Sequence, residues 1–412
     1  MIRFFAGQKN KKVKKTSSRG DFDYVSDGML YFDSACQTLR PRPVVDSMNE
    51  YFYKYGACGG RVKYQWGKRV DEELESCREK VLSFIGKSPK NYLTAFSLNT
   101  TYGINLILSQ LPRSKYKKII ISDIEHNSVF LPTISASKRL NIPREIFSRK
   151  NDGSLIYEKE SLDGAVVVVN AVSNIDGRVL RNIKTLADDV HDAGGILIID
   201  GAQSVAGNSS LLSTSDFDAL CFSGHKTYAP SLGVIVAKKE LVNSLEPSFC
   251  GGGMVESLDK DTFSIPQEDP SCRLEPGLQD YAGIIGLSSA LDWLKKYKPE
   301  GLKQDEQKQK LAKILFEGIK SLPGVRILNN EPSTTISFYQ EDIDSHRFAS
   351  FLSEQNVMLR SGYFCCHYYL LNLKKYPPLL RVSLGLHNTE ADVKRLIEIM
   401  EKIITNVSPK RG

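Results

Sequence analysis

Between residues 117 and 239 the chain carries five short, almost uninterrupted apolar runs. They are "KKIIISD" (117–123), "AVVVVNAVSN" (165–174), "GGILIIDGAQ" (194–203), "DALCFSGHK" (218–226) and "GVIVAKK" (233–239). A strand that buries one face alternates polar and apolar residues, so runs without alternation bury both faces and require a layer on each side. Helical patterns fill the gaps: in "NIKTLADDVHDAGG", Ile183, Leu186, Ala187 and Val190 fall at i, i+3, i+4 and i+7, with Gly194 and Gly195 as a stop. The expectation is an α/β fold, a mostly parallel sheet flanked by helices.

The end of the chain reads differently. "TTISFYQED" has the pattern of a strand and "DSHRFASFLSEQN" that of a helix, while "HNTEADVKRLIEIMEKIITNV" sets Val393, Leu396, Ile397, Met400, Ile403 and Ile404 on one helical face after an Asn388/Thr389 start. Residues 296–412 are expected to form a smaller α+β domain and residues 41–295 the large one, with 21–40 a segment packing on the small domain.

The net charge of +7 suggests nucleic acid until it is located. Arg3, Lys9, Lys11, Lys12, Lys14, Lys15 and Arg19 account for all of it, with no acid in residues 1–20. The body is neutral, so no specific nucleic-acid partner is expected and residues 1–20 read as a solvated basic arm. No apolar run approaches the roughly 20 residues of a membrane span, and the start lacks the apolar core of a secretory signal. A cytoplasmic protein is the expectation, with organellar import by the arm as the secondary reading. Eight cysteines without a C-x-x-C pair fit reduced thiols rather than a disulfide framework or a metal site.

In an open α/β sheet ligands bind beyond the carboxyl ends of the strands. The residues there are Asp123 to Asn127, Asn170 to Asn174, Asp200 to Gln203 and Ser223 to Lys226. A lysine so placed, Lys226, either snorkels to water or is desolvated enough to form a Schiff base with an aldehyde. Asp200 leaves a buried run, where a carboxylate needs a cation; it is either a helix N-cap or the partner of a protonated pyridine nitrogen. Gln203 follows on the same turn, within reach of a phenolic oxygen. Asn99, Thr100 and Thr101 open a helix, as an ordinary cap cluster or as a phosphate cradle. His126 is either a hydrogen-bonded loop histidine or a ring that stacks on a flat cofactor. Lysine, aspartate and hydroxyl-rich helix start together match the needs of pyridoxal phosphate better than any one alone.

With these residues in hand, the sequence resembles the class V aminotransferase superfamily of fold type I pyridoxal phosphate enzymes, and within it the group II cysteine desulfurases and selenocysteine lyases. The likeness is carried in order by "YFDSACQTLRP", "NTTYGIN", "EHNS", "AVSNIDG", "IDGAQSVAG", "FSGHKTYAP", "GGGM", "LEPG", "GIIGLSSALDWL", "RSGYFCC" and "LRVSLGLHNTEADVKRL". It implies Lys226 as the Schiff-base lysine, Asp200 as the pyridinium partner, Gln203 at the phenolic oxygen and His126 on the ring. It implies phosphate binding by Thr100, Thr101, Ser223 and His225, Asn174 near substrate and ring, and Arg381 on the substrate carboxylate, with Arg360 beside it. In the family's R-x-G-x-x-C string, counting from Arg360 reaches Cys365 as the nucleophile, with Cys366 a neighbour.

The implied reaction takes L-cysteine to L-alanine and leaves a persulfide on Cys365 for a sulfur-acceptor protein, in a homodimer without a metal. Three departures stand out. Tyr363 and Phe364 replace histidines that relatives usually carry, with His367 as a possible substitute base. "GACGGRVKYQW" lacks a histidine while keeping Arg61. Leu278 replaces a threonine that reaches the neighbouring subunit's phosphate, leaving Gln279 to take over. The alternatives are a selenocysteine lyase, a cofactor sulfurase, an aminotransferase or an epimerase on the same cofactor, or a scaffold without catalysis.

Overall fold

The computed structural model describes residues 20–407 apart from 27, 61, 208 and 298–302. The basic arm, except Gly20, and the expectation for Arg61 lie outside the described residues. In chain order the first strands are β1 (Leu30–Tyr31), β2 (Tyr92–Ser97), β3 (Lys118–Ser122), β4 (Arg144–Phe147), β5 (Ala165–Asn170), β6 (Ile196–Asp200), β7 (Ala219–Ser223) and β8 (Gly233–Lys238).

All but β1 form one seven-stranded sheet, ordered β2-β8-β7-β6-β5-β3-β4. The run from β4 to β7 is parallel, whereas β8 is antiparallel to both β7 and β2. The connection from β7 to β8 explains the exception: Gly224 to Leu232 is shorter than the dozen or more residues a parallel crossover needs. Every residue of β5, β6 and β7 is buried. Val167 and Val169 pack with the helices Gln65–Ile85, Ile183–Asp192 and Tyr281–Lys296, while Val166 and Val168 pack with Thr100–Gln110 and Asn127–Leu140 on the other face. The continuous apolar runs are thus the centre of a three-layer sandwich.

An exposed hairpin, β9 (Ser257–Leu258) with β10 (Phe263–Ser264), follows. The remaining strands are β11 (Val325–Ile327), β12 (Thr335–Gln340), β13 (Val357–Met358), β14 (Arg360–Gly362) and β15 (Leu379–Ser383). A second sheet, antiparallel throughout, runs β11-β12-β15-β14. Helices Gln304–Lys320, Ser345–Glu354 and Glu390–Val407 bury their apolar faces in its core.

The N-terminal segment joins the two sheets. β1 pairs in parallel with β13, and Asp33 bridges to Ser383 of β15. A few residues on, the Thr38 amide donates to the His225 carbonyl at 2.8 Å, beside the end of β7. Residues 33–38 therefore lie over the carboxyl ends of the central strands, clamped from both sides. Among the described residues, no helix is long and apolar enough to cross a membrane.

Candidate active site

The parallel strands end around a cavity of about 280 Å³. Asn170, Asn174, Asp200, Ser223, His225 and Lys226 reach it from the central sheet, and Thr100, Thr101 and His126 from two helix starts. Arg360, Cys365 and Arg381 come from the second sheet and its loop. Gln203 and Cys36 complete the wall. The cavity so gathers every residue expected to hold cofactor or substrate, and the expected nucleophile, although they span 282 positions from Thr100 to Arg381.

The floor is made of groups that burial disfavours in their charged forms. Asp200, the last residue of β6, is 4% exposed; its Oδ1 accepts from the Ala202 amide at 2.9 Å. Burial raises its pKa, with the Ala202 amide and the Lys226 ammonium pulling the other way. Burial likewise lowers the pKa of Lys226, against the attraction of Asp200. A lysine poised to lose its proton and a carboxylate short of positive charge together suit a ligand that bonds to an amine and presents a cationic nitrogen.

His126 caps the helix Asn127–Leu140: its Nδ1 accepts from the Ser128 amide at 3.0 Å, leaving the proton on Nε2. Burial, then Lys226, depress its pKa to about 3, so the ring is neutral. The Asn99 side chain caps the helix Thr100–Gln110 by accepting from the Tyr102 amide. Ser223 Oγ accepts from the Thr100 amide at 2.9 Å and lies 2.6 Å from Thr100 Oγ1. Thr101 Oγ1 lies 2.6 Å from Ser128 Oγ, which ties the two helix starts together. Burial also lowers His225, to about 4, and its Nδ1 is buried with no hydrogen-bond partner among the described residues. Hydroxyls, helix N–H groups and that unmatched nitrogen form a cradle for an anion.

Arg381 is 3% exposed; its Nη2 donates to Asp33 Oδ1 at 3.0 Å and its Nη1 to the Asn174 carbonyl at 3.0 Å, while Nε is buried without a hydrogen-bond partner among the described residues. The Phe364 ring lies 4.8 Å from this guanidinium, on its face. Here the structure explains one departure. Position 364 packs among Ile124, Ile175, Cys366, Leu370 and Leu379, where an imidazole would lose its water and a phenyl ring gains contact.

Cys365 is exposed at the cavity rim, whereas Cys366 is buried. The Cys366 thiol donates to Asn174 Oδ1 at 3.0 Å, and Asn174 Nδ2 donates to the Phe364 carbonyl at 2.9 Å. His367 is hydrogen-bonded to Asn127 Nδ2 at 3.1 Å and lies outside the cavity wall. The Gln203 amide donates to the Ala35 carbonyl at 2.6 Å, and Gln279 folds back on the carbonyls of Glu275 and Gly277. Leu278 is 73% exposed.

Sequence reasoning missed three neighbours. Asp33 and Cys36 stand in the quoted "YFDSACQTLRP" without a role, and only their contacts with Arg381 and Arg360 reveal them. Beneath the floor, the fully buried Glu125 pairs with Arg149 at 3.2 Å and accepts from both nitrogens of Asn170. An acid beside "HNS" and a distant arginine gave no signal of that pairing.

A family model described as aminotransferase class-V matches residues 30–396. The probable cysteine desulfurase of Chlamydia muridarum is 30% identical over 390 residues, covering 92% of this chain and 95% of that protein. The probable cysteine desulfurase of Pyrococcus abyssi is 29% identical with the same coverage. Among solved structures, a cysteine desulfurase from Thermococcus onnurineus superimposes with a TM-score of 0.83 at 27% identity, over 92% of this chain and 95% of the other. The cysteine desulfurase CsdA of Escherichia coli gives 0.82 at 25% identity, over 94% and 98%.

Proposed function

The chain belongs to the class-V aminotransferase family, and from that premise we propose that it is a pyridoxal phosphate-dependent cysteine desulfurase. The observation that carries this reading is the meeting of Lys226, Asp200, Arg381 and Cys365 on one cavity. The relatives named cysteine desulfurases support it over 95% of their length. Asp200 lacks a full counter-charge and His225 Nδ1 lacks a hydrogen-bond partner among the described residues, so the residues present fit a group with a cationic nitrogen and a phosphate. Thr100, Thr101, Ser223 and His225 would hold the phosphate, Asp200 the ring nitrogen, and His126 the ring face, with Gln203 and Asn174 at its edge.

When bound, pyridoxal phosphate supplies an aldehyde for amines and a ring that takes up the electrons left by a departing proton. The protein's own groups do the rest. Lys226 would be the residue that holds the aldehyde, and its Nζ, which burial disfavours as an ammonium, would take the substrate Cα proton. Arg381 clamps the substrate carboxylate, for which Asp33 fixes the fork, and Arg360 adds a second positive charge at the rim. The Cys365 thiolate attacks the substrate sulfur: the new bond is Cys365 Sγ to sulfur, the broken one is substrate Cβ to sulfur, and Cβ keeps that electron pair and takes up a proton to become the methyl of alanine. Alanine leaves, and a persulfide remains at an exposed position, open to a sulfur-acceptor protein.

A homodimer belongs to the same reading. Leu98, Phe249 and Leu278 are 67%, 55% and 73% exposed. A Tyr102–Phe249 ring contact and a Gly277–Gly252 hydrogen bond hold their segments together beside Thr100 and Thr101. Such a patch suits a second copy of the chain. We place the large domain at 41–295, the small one at 296–412 and the protein in the cytoplasm.

The test is direct. L-cysteine is expected to yield alanine with a persulfide mapped to Cys365 by mass spectrometry; Cys365→Ala should lose alanine formation, whereas Cys366→Ala should be slowed but still form alanine with sulfur on Cys365. Alanine release unchanged in Cys365→Ala would sink the nucleophile assignment, and a requirement for an α-keto acid would point to an aminotransferase.

A further inference from the structure

The cavity holds a second thiol that the reaction above does not use. Cys36 lines it together with Cys365, Arg360, Arg381 and Lys226. It is held by construction. The Cys36 and Gln37 amides both donate to the Asp33 carbonyl, closing a tight turn, and the next residues are fastened on two sides. The Ala35 amide donates to Ser383 Oγ at 2.8 Å, and the Ala35 carbonyl accepts from Gln203. Arg360 Nη1 donates to Cys36 Sγ, and the same nitrogen lies 3.8 Å from Asp33 Oδ2. A sulfur that meets a guanidinium and lines a cavity is placed for chemistry, whereas a cysteine used for packing is normally buried among apolar groups.

Both sulfurs act on one charge from the same enclosure: Lys226 is within electrostatic reach of Cys36 and of Cys365. Arg381 lines that space too. Cys365 lies at the exposed rim, and a persulfide extends its side chain by about 2 Å, one S–S bond. The outer sulfur then reaches beyond its own residue, with Cys36 across the same small cavity.

We propose that Cys36 is a second sulfur-carrying residue, which exchanges the sulfane sulfur with Cys365 within one subunit. The Cys36 thiolate attacks the outer sulfur of the protonated Cys365 persulfide. A Cys36–S bond forms, the bond between Cys365 Sγ and the sulfane sulfur breaks, and Cys365 leaves as a thiolate. The proton stays on the transferred sulfur, so no oxidant or reductant is consumed. Arg360 meets the negative charge at Cys36 before transfer. The exchange runs both ways: it clears Cys365 for another turnover and returns sulfur to the rim for export.

This inference rests on the desulfurase reading, and the experiment separates the two. The full-length holoenzyme, free of acceptor and reductant, is mixed with L-cysteine; alanine per subunit is counted and sulfur mapped by tandem mass spectrometry. The wild type is expected to carry added sulfur on both Cys36 and Cys365, with a burst roughly twice that of Cys36→Ser or Cys36→Ala. In Cys365→Ala, Cys36 should gain none. Equal bursts, with sulfur on Cys365 only, would overturn the exchange while leaving the desulfurase intact. A Cys36–Cys365 disulfide with hydrosulfide released would also overturn it, since attack would then fall on the inner sulfur. No alanine at all would overturn both. The mapping on wild-type protein needs no variant to fold.

Discussion

Two adjacent cysteines with opposite environments show how much a single position decides. Cys365 is exposed and Cys366 fully buried; burial drives the Cys366 thiol far above the ordinary range, so it remains an S–H donor. Its acceptor, Asn174 Oδ1, orients an amide whose nitrogen holds the Phe364 carbonyl. Cys366 is therefore a positioning residue. Cys366→Ala should lower alanine formation from L-cysteine by roughly twofold to tenfold, the size of one buried hydrogen bond of about 0.5–1.5 kcal/mol. Cys366→Ser keeps a donor and should recover much of it. Equal kcat and KM in Cys366→Ala and wild type would mean that Asn174 needs no such partner. The larger loss would be expected from changing Arg381, whose removal would leave Asp33 without its buried partner.

At the scale of the element, the loop between β14 and the π-helical turn Tyr368–Leu373 carries the stored cost. Gly362 has φ of 119°, but Phe364 at 49° and Cys365 at 59° take left-handed backbone without being glycine. Each such residue costs on the order of 1–2 kcal/mol unless the surroundings hold it. Three hydrogen bonds hold these: Asn174 Nδ2 to the Phe364 carbonyl, the Asn127 amide to the Cys365 carbonyl at 2.7 Å, and the Cys366 amide to the Tyr363 carbonyl at 2.8 Å. Asn174→Ala removes the one side-chain tether. It should destabilise the protein by about 1–3 kcal/mol and speed amide hydrogen exchange at 363–367 while β5 and β6 stay protected. Exchange unchanged at those residues would show that the two backbone bonds suffice. None of this strain was legible in "RSGYFCC", because left-handed backbone at Phe364 and Cys365 is held by Asn174 and Asn127, 190 and 238 positions away. The buried runs were legible, since fully apolar strands admit few alternatives, and so was the Asn99 start of the helix. The direction of β8 was not: apolarity says that a strand is buried but not which way it runs. Cys36 escaped notice because its contact with Arg360 crosses the chain.

For the whole molecule, the site couples folding to pH, and the sign of each contribution follows from which state binds more protons. His126 and His225 are depressed to about 3 and about 4 by burial, from an ordinary 6.5. As pH falls below 6.5 the unfolded chain protonates both while the folded chain takes up neither until near 4, so their effect is a loss of stability on acidification. Glu125 works the other way. Burial lifts it to about 7, against the pull of Arg149, so between about 7 and 4.5 the folded chain holds a proton that the unfolded chain has released. That contribution grows as pH falls across the same window. His191, raised by its hydrogen bond to Asp218, acts only above 6.5, where its stabilisation is lost as pH rises. Between pH 6.5 and 4.5 the two histidines are opposed by two carboxyls, Glu125 and the buried Asp200, which burial also raises, so the opposing contributions largely offset one another. The urea midpoint of the wild type should therefore change little across that window. In a His126→Asn, His225→Asn double variant the balance passes to the carboxyls, and the midpoint should instead rise as pH drops. A double variant with the wild-type slope would mean that the neutral imidazoles at the cavity carry no cost of burial.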